Sequence, residues 1–338
     1  MNYFITGGTG FIGSALIQFL LTNDKNAHVI ALVRNKQLAM DRFCAYDGRI
    51  IFIEDTVETF LENKILESCE IHQIVHCAAP TQSTYMISYP IETFEAIAMG
   101  TRNVLELARR HKVQSMIYLS SMEVYGSVED TGLSRTEAEL GEIDLSSARS
   151  CYPLGKRVAE HYCHLYQQQY GIPVKIARLA QVFGQGVRTD DKRVFMQFAR
   201  ALRNSTDIVL KTDGSSMGNY CCTEDAVSAI FTILNKGQNG EVYNVVNEEN
   251  TMSIREMAEL VCGYFGNDDM NVVIKEEDNA KAGYAPKTGL RLSAKKLRSL
   301  GWKPTKGVVE MYKDVMNHLL AEEALYRNLK NRNEGEKV

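Results

Sequence analysis

The sequence predicts an α/β protein: a doubly wound parallel sheet with a smaller substrate region interleaved towards its carboxyl-terminal half. Three observations point there. Compact, β-branched apolar runs alternate with stretches of helical spacing through the first half of the chain, as expected of strands buried on both faces. A glycine-rich turn falls directly between the first such run and the first helix. Past Arg178 the alternation gives way to loops. A chain of 338 residues with 45% hydrophobic content is long enough to bury one large core and a smaller second one.

The strands are taken in order as "NYFIT", "HVIALV", "RIIFIE", "QIVHCA", "SMIYLSS" and "PVKIARL", with helical patterns between most of them. Beyond these, "VFGQGVRTDDKRVF" and "KTDGSSMGNY" read as loops, "EVYNVV" as one more buried strand and "SIREMAELVCGYF" as an amphipathic helix. The resulting division places a dinucleotide-binding domain over residues 1–180, with a returning strand near 241–246. A mainly substrate-binding region follows over 181–326, and a polar tail that frays over 327–338.

Formal net charge is -4 and the cations are scattered, so neither a nucleic-acid nor a membrane footprint is expected, and small molecules are the expected partners. The eight cysteines have no metal-ligand spacing, and several lie in apolar runs as small hydrophobes, which predicts reduced thiols and no metal. The amino terminus lacks the pattern of a secretory signal, and no apolar run is long enough to cross a bilayer; the expected location is cytoplasmic.

"NYFITGGTGFIGSALIQFLL" carries the first functional site. Gly7 permits the tight turn, Gly10 lets the backbone approach a pyrophosphate, and Gly13 allows close packing of helix on strand. Amides of the helix that opens at Phe11 and Ile12 face the phosphates. At the end of the second strand, where an acid would hold a ribose 2′-hydroxyl, "HVIALVRNK" has Val33, then Arg34 and Lys36. Cations there favour a 2′-phosphate, so the cofactor is NAD or NADP with a lean towards NADP; the competing reading has Arg34 merely stacking on adenine. Asp55 is placed to meet the adenine, and Ala78 in "HCAAP" lines the backbone path. His76 reads as a core or sheet-edge histidine and not as a base.

Tyr152 and Lys156 in "SCYPLGKRVAE" lie four apart on one helix face, with Pro153 suited to the first turn. A phenol is a poor base at neutral pH, but a neighbouring ammonium together with an oxidised nicotinamide lowers its pKa. Ser121, at the carboxyl end of the fifth strand, can then share a substrate hydroxyl with Tyr152. Ser120 is expected on the opposite face.

Taken together, "TGGTGFIG", "HCAA", "GTRNVLELA", "SSMEVYG", "YPLGK" and "LGWKP" resemble the extended short-chain dehydrogenase/reductase family, in its nucleotide-sugar epimerase, dehydratase and decarboxylase branch. The resemblance implies a Rossmann-type fold, a homodimer joined through a four-helix contact, and oxidation of a sugar C4 hydroxyl to a 4-keto intermediate. It assigns that oxidation to Ser121, Tyr152 and Lys156, with Tyr152 and Lys156 also touching the cofactor.

A 4,6-dehydratase of this branch would carry an acid where Met122 stands. Dehydration is therefore disfavoured, while Glu123 is retained as a candidate base or, on the plainer reading, as a solvated or salt-bridged carboxylate. Decarboxylation and C4 epimerisation need no such acid. Epimerisation is placed first because the decarboxylase likeness rests on short motifs such as "RSCYPLGKRVAE". The branch often has asparagine at the position of Gln181 and arginine at that of Gly218, which leaves Arg193 and Arg291 as candidates to hold a diphosphate. A net NADPH-dependent reductase of a keto-sugar or other carbonyl, favoured by Arg34, and a non-catalytic dinucleotide sensor, disfavoured by the complete Ser/Tyr/Lys set, are the competing readings.

Overall fold

The computed structural model describes residues 1–276 and 287–335. The expected strands form one seven-stranded sheet, all of it parallel: β1 (Asn2–Thr6), β2 (His28–Val33), β3 (Ile50–Glu54), β4 (Gln73–His76), β5 (Ser115–Ser121), β6 (Val174–Leu179) and, returning later, β10 (Val242–Val245). The spatial order is β10-β6-β5-β4-β1-β2-β3. The chain winds outward from β1 through β2 to β3, then returns to β4 and winds the other way. The crevice beyond the carboxyl ends of β1 and β4 is therefore where this architecture places a ligand.

Alternation along the strands divides the interior. Ile5, Ile117 and Leu119 face a layer that includes α1 (Phe11–Asn23) and α8 (Thr223–Lys236). Phe4, Met116 and Tyr118 face the opposite layer, with α5 (Pro90–His111) and α6 (Cys151–Tyr170). Gly155 of α6 lets the two helices approach: a Cβ there would lie 3.4 Å from the Ile97 side chain. Three shorter helices, α2 (Lys36–Arg42), α3 (Lys64–Glu67) and α4 (Ser83–Ser88), fill the connections on the way to α5.

Past β6 a second core gathers around Phe183, Phe195, Tyr220 and Tyr312. It is framed by β7 (Gln181–Phe183), α7 (Val194–Arg203), β8 (Ile208–Leu210), β9 (Met217–Cys222), β11 (Asn247–Ser253), α9 (Ile254–Phe265) and β12 (Val272–Ile274). β11, β9 and β7 form one small sheet, and β12 with β8 another. A capping box between Ser253 and Glu256 starts α9 where the sequence places a helix. Residues 277–286 of the expected substrate region and 336–338 of the expected tail lie outside the described residues; the backbone from Val308 to Gly335 is helical. Among the described residues no helix is long and apolar enough to cross a membrane.

Candidate active site

The glycine-rich turn is built for close approach. Gly7 has φ +67°, and a Cβ on it would press on the Ala78 backbone at 3.1 Å. A Cβ on Gly13 would come within 2.2 Å of the Gly7 carbonyl oxygen. Helix α1 then starts after Gly10 with no side-chain cap and no acid in its first turn. Its leading amides are left for an anion, and the residues present fit a dinucleotide pyrophosphate.

His76 braces this turn. Thr101 Oγ1 donates to the Ile97 carbonyl, so it can only accept from His76 Nε2, at 3.1 Å. Nδ1 is then the acceptor of Thr6 Oγ1, at 2.7 Å, and Thr6 Oγ1 in turn accepts the amides of Cys77 and Ala78. Burial, with Lys156 nearby, pushes the imidazole down to about 3 and keeps it neutral. These bonds tie the ends of β1 and β4 together and give His76 a structural role.

At the end of β2, Val33 is buried and offers no acceptor, while the Arg34 side chain is exposed and makes no hydrogen bond or ion pair among the described residues. The Lys36 amide donates to Glu54 Oε1 at 2.9 Å. Asp55 Oδ1 accepts from the Thr56 amide and from Thr59 Oγ1, so Oδ2 is the atom left to face a base. Arg42, which the sequence reading passed over, reaches back from α2 to donate to the Thr9 carbonyl at 2.7 Å.

Tyr152, Lys156 and Ser121 converge at the carboxyl end of β5. Lys156 is buried, donates from Nζ to the Leu119 carbonyl at 2.7 Å, and stands 5.8 Å from the Tyr152 ring centre. Burial pulls its ammonium down to about 8, opposed first by Glu160. Burial and then the Glu123 charge push the Tyr152 phenol well above its ordinary value; a bond with Ser121 and the charges of Arg149 and Arg193 pull the other way. Tyr152 is a proton donor in this state, and becoming a base requires further positive charge beside it.

Glu123 is not a free carboxylate. Both its oxygens accept from Nη2 of Arg149, at 2.9 and 3.0 Å, and the Arg149 guanidinium stands 5.8 Å from the Tyr152 ring centre. The Glu123 amide donates to Ser121 Oγ. Met122 packs against the core.

The two arginines expected at a diphosphate part company. Arg193 acts electrostatically on Tyr152 but is occupied by Asp191, with its Nη1 on the Val182 carbonyl. Arg291 lies on a cavity of about 400 Å³ with Asp213, Ser215, Met217, Arg255 and Glu256, and its Nε pairs with Asp130 Oδ1 at 3.8 Å, beyond hydrogen-bond reach. Asn219 holds Arg291 in place by gripping the backbone on either side, donating to the Leu290 carbonyl and accepting the Leu292 amide. Gln181 opens β7, half-buried, opposite Tyr220. At Gly218 a Cβ would collide with the Tyr220 hydroxyl at 2.1 Å, so the tyrosine occupies the space a side chain would need. Among the described residues no cluster of side chains could hold a metal ion.

Comparison with known proteins adds to this geometry. The profile of the NAD dependent epimerase/dehydratase family matches residues 3–246. UDP-glucuronic acid decarboxylase 6 of Arabidopsis thaliana is 30% identical over 264 residues, covering 77% of this chain and 73% of that protein. The likeness to decarboxylases thus extends far beyond the short motifs on which the sequence reading rested it. Among solved structures, the UDP-glucose 4-epimerase of Thermotoga maritima with UDP-glucose matches with a TM-score of 0.80 at 21% identity, over 95% of this chain and 99% of that one. The UDP-glucuronic acid 4-epimerase of Bacillus cereus, in complex with UDP-glucuronic acid and NAD, matches with a TM-score of 0.75 at 23% identity, over 95% and 99%. At those identities the structural likeness speaks to the fold.

Proposed function

The chain belongs to the NAD dependent epimerase/dehydratase family, and from that membership we propose that it oxidises C4 of a nucleotide sugar to a ketone and uses the ketone to remove a C6 carboxylate. The convergence of Ser121, Tyr152 and Lys156 beside the glycine-rich turn carries the oxidation step. The extended identity to a UDP-glucuronic acid decarboxylase, with Met122 unable to protonate a leaving hydroxyl, is the reason to place decarboxylation ahead of epimerisation and dehydration.

Bound on the turn, the dinucleotide supplies the acceptor and later the donor of a hydride. Ser121 Oγ orients the substrate C4 oxygen while Tyr152 Oη takes its proton, and the Lys156 ammonium stabilises the resulting phenolate. The C4 ketone is β to the C6 carboxylate. The C5–C6 bond therefore breaks with its electron pair moving towards O4 as an enolate, carbon dioxide departs, and C5 takes up a proton. As C4 is reduced again, Tyr152 returns its proton to O4. The proton taken up at C5 comes from solvent, relayed by Glu123, which Arg149 orients beside Tyr152. Arg193 and Arg291 serve the substrate's phosphates from the region 181–326.

A second reading is favoured by Val33 and Arg34: a reductase spending NADPH on a carbonyl, the donor-rich adenosine end being suited to a 2′-phosphate. A homodimer in the cytoplasm completes the proposal, supported by the exposed apolar residues Ile91 and Met99 of α5 and Leu165 of α6. The deciding experiment supplies NAD and UDP-glucuronic acid and follows products by mass spectrometry. Loss of carbon dioxide is expected, and it should vanish in Tyr152→Phe while dinucleotide binding persists. An unchanged mass with inverted C4 would mean epimerisation. No reaction with NAD, but carbonyl reduction with NADPH, would replace the proposal with the second reading.

A further inference from the structure

Tyr152, Lys156 and Glu160 recur every four residues along α6, and each meets a different one of the last three residues of β5. Tyr152 bonds with Ser121, Lys156 with the Leu119 carbonyl, and Glu160 with Ser120, whose Oγ donates to Oε1 at 2.6 Å. Ser120, the residue expected to point away from the site, thus anchors the turn of helix behind the lysine. Arg178 of β6 completes the grip on Glu160, with Nε on Oε1 at 2.9 Å and Nη2 on Oε2 at 2.8 Å. Its Nη1 donates to the Glu137 carbonyl, and its guanidinium stands 5.0 Å from the Tyr125 ring centre. Glu160, Arg178, Ser120 and Lys156 are all buried.

A buried ion pair is a poor source of net stability, because desolvation offsets most of the attraction. The location of this one suggests what it does instead. Lys156 is surrounded by His76, Tyr118, Cys77, Cys163, Tyr152 and Glu160. The imidazole is neutral, and burial holds the Cys77, Cys163, Tyr118 and Tyr152 protons on. Glu160 is the carboxylate of that set, and its charge is the strongest influence opposing the loss of the lysine's proton to burial.

We propose that Glu160 is a positioning residue for Lys156: clamped by Arg178 and Ser120, its carboxylate keeps the buried ammonium charged and seated on the Leu119 carbonyl, where it acts on Tyr152. The inference rests on the reading of Tyr152 as the site's acid and base, and the test separates the two. Tyrosinate absorbance of the NAD⁺ complex is titrated against pH, with Tyr152→Phe subtracted to isolate the one phenol. A wild-type protein with no Tyr152-dependent transition would end the acid–base reading itself.

Given that transition, Glu160→Gln should raise its midpoint by about one pH unit, a tenfold loss in phenolate stabilisation. The direction is diagnostic. Deleting a nearby negative charge acts directly on a phenol by lowering its midpoint, so a rise can only pass through the lysine. Glu160→Gln leaves Arg178 unpaired. The double variant Glu160→Gln/Arg178→Met removes both charges and should show the same rise, and Ser120→Ala, which only loosens the clamp, a smaller one. An unmoved or lowered midpoint, in whichever of these variants folds and binds NAD⁺ as the wild type does, would overturn the proposal.

Discussion

Replacing Gly13 by alanine adds a single methyl group where the structure has no room for one. The new Cβ would sit 2.2 Å from the Gly7 carbonyl oxygen and 2.9 Å from the Gly7 carbonyl carbon. Both are backbone atoms, so no side chain can swing aside. Restoring an ordinary contact requires helix α1 and the turn to separate by about 1 Å, a form of overpacking that costs roughly 1–3 kcal/mol of stability. The same displacement carries the leading amides of α1 away from the pyrophosphate. Losing one charge-assisted hydrogen bond costs about 1.5–3 kcal/mol, or roughly 10- to 150-fold in affinity.

Gly263 is the matched control. It lies within α9 with no atom inside 4 Å of its would-be Cβ, so Gly263→Ala should stabilise by up to about 1 kcal/mol through helix propensity and leave the dinucleotide site untouched. The assay is fluorescence titration with NADH alongside thermal unfolding of the three proteins. Gly13→Ala binding NADH as tightly as wild type, with an unchanged melting temperature, would refute the claim that this turn holds the pyrophosphate by close backbone approach.

Other outcomes follow from the same geometry. Arg34→Ala should weaken NADPH binding at least tenfold more than NADH binding, the worth of one ion pair to a 2′-phosphate; equal losses in a titration with both would reduce Arg34 to a stacking residue. Glu123→Gln, which breaks the charge pairing with Arg149, should slow uptake of solvent deuterium at C5 of the product at least tenfold; an unchanged rate of uptake would leave the pair a purely structural contact. Lys175 is buried with its amine on Ser115 Oγ and the Pro173 carbonyl, and burial pulls it down from 10.5 to about 8. Since the folded state binds this proton less well than the unfolded one, the penalty is full below about pH 8 and fades as pH rises to 10.5. Lys175→Met should therefore stabilise at pH 7 by up to about 3 kcal/mol, with the gain shrinking in melts recorded towards pH 10; a gain independent of pH would place its origin in packing.

What could be read from the sequence, and what could not, divides according to how far apart the interacting residues lie. Strands buried on both faces are continuous apolar runs, so each of the six leading strands is visible by itself, and the glycine-rich turn completes its chemistry within a few residues. Tyr152 and Lys156 are one helical turn apart. By contrast, the pairing of Glu123 with Arg149 spans 26 positions, that of Ser120 with Glu160 spans 40, and the grip of Asn219 on the loop of Arg291 more than 70. Nothing in local periodicity selects one scattered cation over another as a partner, because the choice is made by the packing of α6 on β5 and β6. For the same reason Arg193 and Arg291 look equivalent in sequence, yet the charge of Arg193 acts on Tyr152 whereas Arg291 lines the cavity beside Asp213 and Glu256.

Met122 and Glu123 show the division at its narrowest. They are neighbours, and the sequence alone reveals that position 122 has no proton to give. Whether position 123 offers a free base depends on where the chain goes next. Met122 turns into the core, whereas Glu123 turns outward and meets a guanidinium carried on the approach to the helix of Tyr152. Both carboxylate oxygens accept from Nη2 of Arg149, so the pair fixes the orientation of Glu123 beside Tyr152. Met122 is therefore the residue that weighs against dehydration, because it lacks the acid, while Glu123 keeps its carboxylate at the site in an orientation set by Arg149. Chemistry that leaves the sugar hydroxyls in place and works through the C4 ketone is what such an arrangement can still support.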